Sequence, residues 1–246
     1  MEVDELIDAS LRMKHAATRT APVRMAVVGF CGHQGAEYVR AAGAIDEIEI
    51  VTLVDVDSAA GAKAEQLGLP VYGDVHTMLA QHAVDVAVVT VPHSEHVATT
   101  RALLEAGCHV LKEKPLAPSR SEAIELVQCA NAAERAVLTL TQRPLRSDFR
   151  QLFRSLEKIG HPYLISYNYA LDFPAPSLGW RGQADLALGG VLLDMGYHVI
   201  DIFTHLFGAP EEIHASRHYR YEESRTEKLE DLVTCLLYTS PSPRDS

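Results

Sequence analysis

Residues 24–142 alternate between short apolar runs of strand length and segments with helical periodicity, and this alternation constrains the fold more than any other feature. Parallel strands need long crossover connections, usually helices, so this alternation predicts βαβ units and a parallel sheet covered on both faces. We therefore predict an α/β domain with a doubly wound parallel sheet that binds ligands at the carboxyl ends of its strands. The predicted strands are 24–30, 48–56, 71–74, 84–91, 109–115 and 136–142.

The pattern changes after residue 142. A helix over 147–160 precedes an alternating aromatic segment (161–173), a long helix (188–208) and two further strand-like runs. Such a mixture without βαβ alternation predicts a second domain of α+β type with a mostly antiparallel sheet. The predicted bounds are 1–22 for an N-terminal extension, 23–142 for the first domain, 143–238 for the second and 239–246 for a disordered tail.

The last residues, YTSPSPRDS, contain two prolines and no apolar face, and this composition predicts disorder. They also resemble translated adapter or vector sequence, and an ordinary flexible tail is the alternative. If the adapter interpretation holds, the second domain is truncated in the middle of its sheet.

Composition argues against several classes of function. The chain has 22 Lys and Arg against 33 Asp and Glu, a formal net charge of −11, and an acidic surface repels nucleic acid. No apolar run approaches the length of a membrane span, and the acidic N-terminus lacks the apolar core of a secretory signal. Cys31, Cys108, Cys129 and Cys235 form no C-x-x-C pair. We therefore expect reduced thiols in a cytoplasmic protein that binds neither nucleic acid nor membrane.

A glycine-rich turn follows the first strand and opens the first helix, in the sequence GFCGHQG. A phosphate-binding turn occupies this place, because the amides and dipole of the helix N-terminus then face the phosphates. The dinucleotide fingerprint is G-x-G-x-x-G. Gly32 and Gly35 fit its second and third glycines, whereas Phe30 stands at the first and Gly29 comes one residue early. We predict that Gly29, Phe30, Gly32, His33 and Gly35 contact a cofactor; a tight turn without a ligand is the alternative.

Asp55 ends the second strand, 20 residues after Gly35. A carboxylate at this point accepts hydrogen bonds from the adenosine ribose and repels a 2′-phosphate, which favours NAD over NADP. Asp57 is a less favoured substitute, and a simple role for Asp55 in capping the next helix is the alternative.

Two later motifs lie far apart in the chain. Glu113-Lys114-Pro115 follows the fifth strand, and GGVLLDMGYHVID occupies 189–201, just after Gly179-Trp180-Arg181. From about residue 24 to 235 the chain resembles the Gfo/Idh/MocA family of nicotinamide-dependent sugar and polyol oxidoreductases. The resemblance implies a Rossmann domain followed by a substrate domain, and it implies NAD(P)-dependent oxidation of a CH–OH group. The spacing of the glycine turn departs from the pattern.

Oxidation of a secondary alcohol requires a base for the hydroxyl proton, a cation beside the developing alkoxide and a nearby hydride acceptor. His198 suits the base, because an imidazole titrates near neutral pH. Asp194 lies one helical turn earlier and can orient the ring, and Lys114 leaves the sheet at its carboxyl edge. The resemblance implies the same three roles. A core histidine and a surface lysine are the alternatives.

Other candidates surround this set. We expect Pro92, His93, Glu113 and Lys114 to contact the cofactor, with Pro92 and His93 beside the nicotinamide. We expect His96 to lie on the helix surface. On the substrate side we expect the residues Arg143, Trp180 and Arg181.

The chain also contains a metal-like spacing, at Asp194, His198, Asp201 and His205. No cysteine or distant ligand joins these residues, so we predict no metal site. A non-catalytic dinucleotide-binding regulator and a metal-assisted lyase or isomerase are the alternative functions. We also expect homo-oligomers that form through the sheet of the second domain, with the aromatic strand 163–173 at the interface.

Overall fold

The computed structural model describes residues 21–142, 146–160, 162–171 and 179–239. The chain divides into two compact units, Met1–Val86 and Ala87–Ser246. Most of the predicted N-terminal extension (1–22) and of the predicted tail (239–246) lies outside the described residues. These two assignments and the predicted domain bounds stay predictions.

Six strands form a sheet in the order β3-β2-β1-β4-β5-β6. The pairs β1–β2, β2–β3 and β5–β6 are parallel. This is the strand order of the dinucleotide-binding Rossmann fold, so the predicted doubly wound parallel sheet is confirmed. The strands are Val23–Val28 (β1), Ile48–Val54 (β2), Val71–Tyr72 (β3), Val86–Val89 (β4), His109–Glu113 (β5) and Val137–Leu140 (β6).

The first unit has its core on the C-terminal halves of β1 and β2. Ala26, Val27 and Val28 are buried in β1, and Leu53 and Val54 are buried in β2. Continuous apolar runs of this kind are typical of strands covered on both faces. The helices of this unit are His33–Ala42 (α1), Ala60–Leu67 (α2) and Val75–Gln81 (α3).

Two helix starts in this unit have different caps. The Asp74 side chain accepts from the N–H of Thr77 and caps α3. For α2 the N-cap is Ala59, which makes no side-chain cap. The carboxylate of Asp57 accepts from the N–H of Ala59 just before this helix.

The second unit contains three helices that follow β4, β5 and β6. They are His96–Glu105 (α4), Arg120–Ala132 (α5) and Ser147–Ile159 (α6), with a 3₁₀ turn at His93–Glu95 before α4. α5 begins with a capping box, in which Ser119 and Glu122 each accept from the other's backbone N–H. On α4 the buried positions are His96, Thr100, Leu103 and Leu104, which is the spacing of one helical face.

The rest of the second unit contains short helices and a two-stranded sheet. The helices are Ala184–Ala187 (α7), Tyr197–Phe207 (α8) and Glu222–Glu227 (α9), with a π turn at Leu192–Gly196 directly before α8. Strands Glu212–His218 (β7) and Leu232–Tyr238 (β8) pair antiparallel. The predicted α+β character and antiparallel pairing are therefore confirmed.

The aromatic segment 161–173 was predicted as a strand, and this is wrong over its described part, since residues 162–171 carry no strand. A strand exists only where a neighbour takes its backbone hydrogen bonds. Alternation of side chains indicates two faces, but it does not provide that neighbour. Within the described residues the second sheet consists of β7 and β8.

The segment Ala184–Phe207 passes a test for membrane-spanning helices that rests on length and composition alone. The expectation that no apolar run approaches this length is therefore wrong by this measure. One such helix is weak evidence for a span, because a core helix of a soluble protein has the same length and composition. Asp185, Asp194 and Asp201 also lie within it.

Candidate active site

In the glycine turn after β1, the backbone at Gly35 lies unusually close to the backbone of Gly29 and Phe30. Gly29 has a φ of 87°, a left-handed conformation that a side chain disfavours. A Cβ added to Gly35 would lie 2.2 Å from the carbonyl oxygen of Gly29 and 2.5 Å from Cα of Phe30. The third glycine of a dinucleotide fingerprint has this role, since it lets the helix pack closely on the strand.

The helix after the turn starts in a way that suits an anion. Gly32 is the N-cap of α1 and provides no side-chain oxygen to the first turn. Backbone amides at a helix N-terminus bind phosphate, and His33 is the first helical residue. The Phe30 side chain is buried, so only its backbone can face a ligand. These features fit a dinucleotide pyrophosphate, although the glycine spacing differs from the fingerprint.

Asp55 connects the end of β2 to the glycine turn. One carboxylate oxygen accepts from the N–H of Cys31 at 2.7 Å, and the other accepts from the N–H of Asp57 at 3.0 Å. The carboxylate therefore fixes the first part of the turn before any ligand is present. Burial raises the pKa of the Cys31 thiol to about 11, and Asp55 acts in the same direction. The thiol is therefore protonated at neutral pH.

In the second unit, the exit from β5 directs a lysine into a cluster of charged groups. Glu113 and Lys114 are both buried, and Lys114 is 8% exposed. The Lys114 ammonium donates to the backbone carbonyl of Asp194 and to its carboxylate, both at 2.5 Å. Residues 80 positions apart are thus joined by two hydrogen bonds, and two of the three predicted catalytic residues lie in direct contact.

The Asp194 carbonyl that accepts from this lysine belongs to a π turn. Asp194 is the third residue of the turn Leu192–Gly196. A π turn widens the helix and is frequent at functional sites. Gly190 precedes the turn, and a Cβ there would lie 2.1 Å from the carbonyl oxygen of Glu230. The Glu230 carboxylate accepts from the N–H groups of Gly190 and Leu192, which fixes the start of the helix.

The Asp194 carboxylate is shared by two cations. Its second oxygen accepts from Nε of Arg181 at 3.1 Å. Burial acts to raise the pKa of Asp194, but the charges of Lys114 and Arg181 outweigh it and hold the pKa below its usual value. Arg181 therefore neutralises the same carboxylate as Lys114. Its predicted role on the substrate side stays a prediction.

His198 lies one helical turn after Asp194, as the second residue of α8, and it is 7% exposed. The contacts described for Asp194 are with the two cations, so the orientation of the His198 ring by Asp194 stays a prediction. His205, two turns further, lies 3.6 Å from the Asp201 carboxylate. Burial raises the pKa of Asp201. Within the described ranges no group of three potential metal ligands is close enough to hold an ion.

His93 belongs to the same part of the second unit. Its Nδ1 donates to the carbonyl of Ala187 at 2.8 Å, and its ring meets Trp180 edge to face at 4.8 Å between centroids. The guanidinium of Arg181 stacks on Trp180 at 4.4 Å. Burial lowers the pKa of His93, and Lys114 acts in the same direction. His93 is therefore a neutral donor held among the residues that surround Lys114.

His96 was predicted on the helix surface, and this is wrong, because the ring is 1% exposed. It lies in the first turn of α4 and faces inward with Thr100 and Leu103. The spacing of His93 and His96 could have indicated this, since residues three apart share one face of a helix. The sequence argument placed His93 beside the cofactor but His96 in solvent. Of the other candidates, Pro92 precedes the 3₁₀ turn and Arg143 lies outside the described residues.

Comparison with known families identifies the family to which the chain belongs. A family model described as "Oxidoreductase family, NAD-binding Rossmann fold" matches residues 23–141, and the GFO/IDH/MocA C-terminal domain model matches residues 149–241. The chain belongs to the Gfo/Idh/MocA family. The resemblance inferred from the EKP triplet and the glycine-aspartate-histidine helix is thereby confirmed.

Two named dehydrogenases are about 30% identical to this chain over the residues that align. D-glucoside 3-dehydrogenase of Escherichia coli (strain K12) is 30% identical over 204 residues, which are 80% of this chain and 57% of that protein. scyllo-Inositol 2-dehydrogenase (NADP(+)) IolW of Bacillus subtilis (strain 168) is 32% identical over 149 residues, 58% of this chain and 40% of that protein. The chain spans about half the length of the curated relatives it matches.

Solved structures share the fold. The WlbA dehydrogenase from Bordetella pertussis, in complex with NADH and UDP-GlcNAcA, matches with a TM-score of 0.77 at 21% identity, over 90% of this chain and 67% of that chain. GenD2 from gentamicin A biosynthesis, in complex with NAD, matches with a TM-score of 0.75 at 22% identity, over 92% of this chain and 64% of that chain. At these identities the likeness supports the architecture and no detail of the site.

Proposed function

We propose that the protein is an NAD-dependent dehydrogenase that oxidises a CH–OH group of a sugar, an inositol or a related polyol. The observation that carries the proposal is the contact of buried Lys114 with half-buried Asp194, which joins the two sequence motifs in one cluster. A dehydrogenase needs a cation where an alkoxide develops, and Lys114 is a cation held in place before substrate arrives. The two named relatives are dehydrogenases of a glucoside and of an inositol.

The roles divide between the groups of the cluster. The nicotinamide ring, when bound, accepts the hydride. Lys114 is proposed to donate a hydrogen bond to the reacting oxygen, and Asp194 fixes its ammonium. His198 is proposed to take the hydroxyl proton, because it is an imidazole one helical turn after Asp194 and an imidazole nitrogen can act as a general base. His93 and the Trp180–Arg181 stack lie beside the same cluster.

The cofactor is proposed to be NAD. The carboxylate of Asp55 at the end of β2 supports this choice, because it repels a 2′-phosphate. The NADP(+) named for IolW shows that family members differ in this property. Gly29, Gly32 and Gly35 are proposed to hold the pyrophosphate, and Pro92, His93 and Glu113 are proposed to lie along the nicotinamide. We also propose a cytoplasmic homo-oligomer that forms through the β7–β8 sheet, whose residues are exposed on both faces.

The direct test mixes the purified chain with NAD or NADP and a panel of sugars, inositols and other polyols, and follows the absorbance of the reduced cofactor. Lys114→Met should reduce turnover about 100-fold or more and leave the dissociation constant of NAD within about twofold. Lys228→Met, which removes an exposed lysine of the same unit, is the matched control and should match the parent. Turnover that survives Lys114→Met would remove the proposed role of Lys114.

A non-catalytic dinucleotide-binding regulator is the second candidate, favoured by the atypical glycine spacing of the turn. It predicts NAD binding by calorimetry with no hydride transfer to any substrate of the panel. The pairing of buried Lys114 with half-buried Asp194 speaks against it, because a sensor does not need a partly desolvated pair of charges whose burial is costly.

A further inference from the structure

A single buried histidine ring joins the two loops that carry His93 and Lys114. His96 Nε2 lies 3.0 Å from the carbonyl oxygen of Val91, and Nδ1 lies 3.1 Å from the carbonyl oxygen of Pro115. The ring is 1% exposed and belongs to a regular helix, α4. The ring therefore lies between the exit of β4 and the exit of β5, within hydrogen-bond distance of one carbonyl from each.

Each carbonyl is next to a residue of the candidate active site. Val91 precedes Pro92 and His93, and Pro115 directly follows Lys114. A carbonyl held by hydrogen bonding fixes the peptide unit that contains it, and hence the backbone of the adjoining residue. The His96 ring is thus one residue from Lys114 on one side and two residues from His93 on the other.

The exit of β5 is held a second time by Lys112. Its ammonium donates to the carbonyl oxygen of Leu116 at 2.5 Å, and the side chain is 0% exposed. Two successive carbonyls, of Pro115 and Leu116, therefore lie within hydrogen-bond distance of nitrogen atoms on buried side chains. A surface turn does not need such a hold, because water satisfies its carbonyls at no cost of burial.

The ring can donate a hydrogen bond to only one of the two carbonyls at a time. Burial lowers the pKa of His96 to about 3, and Lys112 acts in the same direction, so the ring is neutral at neutral pH. A neutral imidazole has one N–H donor and one acceptor nitrogen. The hydrogen bond is therefore made to Pro115 or to Val91, according to the tautomer, and the two bonds can be separated by substitution.

We propose that His96 is a positioning residue, which donates from its Nδ1–H to the carbonyl of Pro115 and so sets the backbone beside Lys114, with the result that the Lys114 ammonium stays on Asp194. The effect on catalysis rests on the proposed function, whereas the effect on Lys114 does not require any activity. His96 touches no reacting group in this role. It acts through the loop that follows β5.

The test measures how fast an amine-reactive acylating reagent labels Lys114, with peptide mass spectrometry as the readout. Lys114 is buried and donates two hydrogen bonds to Asp194, so it should label slowly in the parent protein. His96→Leu fills the space without a donor and should raise the labelling rate of Lys114 by about 2- to 10-fold, the loss of one hydrogen bond's net contribution. Lys228, exposed in the same unit, reports any general change in reactivity.

Three further variants separate positioning from simple destabilisation. His96→Asn places an amide N–H near the former Nδ1, facing Pro115, and should return Lys114 labelling towards the parent rate. His96→Gln places its N–H near the former Nε2, facing Val91, and should restore less. Thr100→Val removes a buried hydroxyl one turn further on the same face of α4 and should leave Lys114 unchanged.

The outcomes are decisive in both directions. Selective labelling of Lys114 in His96→Leu, with rescue by His96→Asn, supports the proposal. It is overturned by an unchanged Lys114 rate in His96→Leu, by an equal rise in Thr100→Val, or by a parallel rise at Lys228. If a substrate has been found, kcat should be lower in the variants whose Lys114 labels faster, and the dissociation constant of NAD should stay unchanged. A chain that turns over no substrate removes the proposed function, and the labelling result still stands by itself.

Discussion

The glycine turn and the Lys114 cluster are stabilised by opposite means. The turn exists because side chains are missing, since a Cβ on Gly35 has no room beside the Gly29 carbonyl. The cluster exists because charged side chains are present and satisfy one another, with Asp194 between Lys114 and Arg181. Substitutions in the turn therefore act through sterics and are insensitive to pH. Substitutions in the cluster act through charge and depend on pH.

The largest effect is expected at Asp194. Asp194→Asn keeps the shape but leaves two cations without their carboxylate, and breaking a buried pair costs about 3–5 kcal/mol of unfolding free energy. We expect turnover to fall about 100-fold or more. Urea unfolding and turnover with the best substrate measure the two effects. Arg146→Gln, which removes the exposed partner of Asp148, is the control for loss of an ion pair and should change stability by less than about 1 kcal/mol.

The pH dependence of the Asp194 effect has a definite sign. The folded pKa of this carboxyl is lowered, so the folded state binds its proton less readily than the unfolded state. The stabilisation is fully present above the unfolded pKa of about 3.9 and is lost as the pH falls through the lower folded pKa. In Asp194→Asn this loss at acid pH should disappear. A difference between the two proteins that stays constant down to the lowest pH would show that the charge of Asp194 is not what stabilises the cluster.

The next largest effect is expected in the turn, at Gly35→Ala. The added methyl must push α1 away from the Gly29 carbonyl, and overpacking of this kind costs about 1–3 kcal/mol. We expect NAD affinity to fall about tenfold or more, with no dependence on pH. Calorimetric titration with NAD measures it. Gly61→Ala, where an added Cβ meets nothing within 4 Å, is the matched control. If Gly35→Ala binds NAD as the parent does, the turn does not hold the cofactor.

A smaller effect is expected from the buried amine of Lys112. Burial lowers the pKa of Lys112 to about 7 from its ordinary value of 10.5, so the folded state holds the proton less tightly than the unfolded state. The destabilisation is complete below the folded pKa and is relieved as the pH rises towards the unfolded value. Lys112→Met should therefore raise the unfolding free energy by roughly 1–3 kcal/mol near pH 6 and by less near pH 10. A gain that is equal at both values would contradict the burial of a charge at this position.

The smallest effect is expected from Asp55→Asn. The amide keeps one oxygen for the N–H groups of the turn but removes the negative charge. The ratio of NADP to NAD affinity should rise by up to about tenfold, with little change in stability. Titration with both cofactors measures it. Asp57→Asn, two residues further, is the control and should leave the ratio nearly unchanged. If Asp57→Asn changes the ratio more than Asp55→Asn does, the ribose contact belongs to Asp57.

The sequence predicted the fold well where its evidence was local. Alternation of buried strands such as Val86–Val89 with helices such as α5 is visible within some 30 residues, and it predicted the Rossmann sheet. The aromatic segment 162–171 shows the limit, because a strand depends on a neighbour that lies elsewhere in the chain. The buried position of His96 shows the same limit. The periodicity of one helical turn does not indicate which side of the helix is covered by the rest of the protein.

The site was predicted in part. Lys114 and Asp194 were named from their motifs, and the structure places them in contact across 80 residues. The sharing of Asp194 with Arg181 was not predicted, because it depends on a contact between the 3₁₀ turn Gly179–Gly182 and the π turn, which no periodicity describes. The contacts of His96 and Lys112 with the carbonyls that follow β5 were not predicted, for the same reason. Long-range polar contacts have no pattern in the local sequence.

The wide turn at Leu192–Gly196 has a consequence for how this helix can change. A π turn closes its hydrogen bonds over five residues, whereas a regular α-helix closes them over four. Removing one residue from the turn would restore that regularity and would also rotate everything beyond it by about 100°, so that His198 faced another direction. The length of this segment therefore determines the direction of His198 relative to Asp194, in addition to the identity of the side chains.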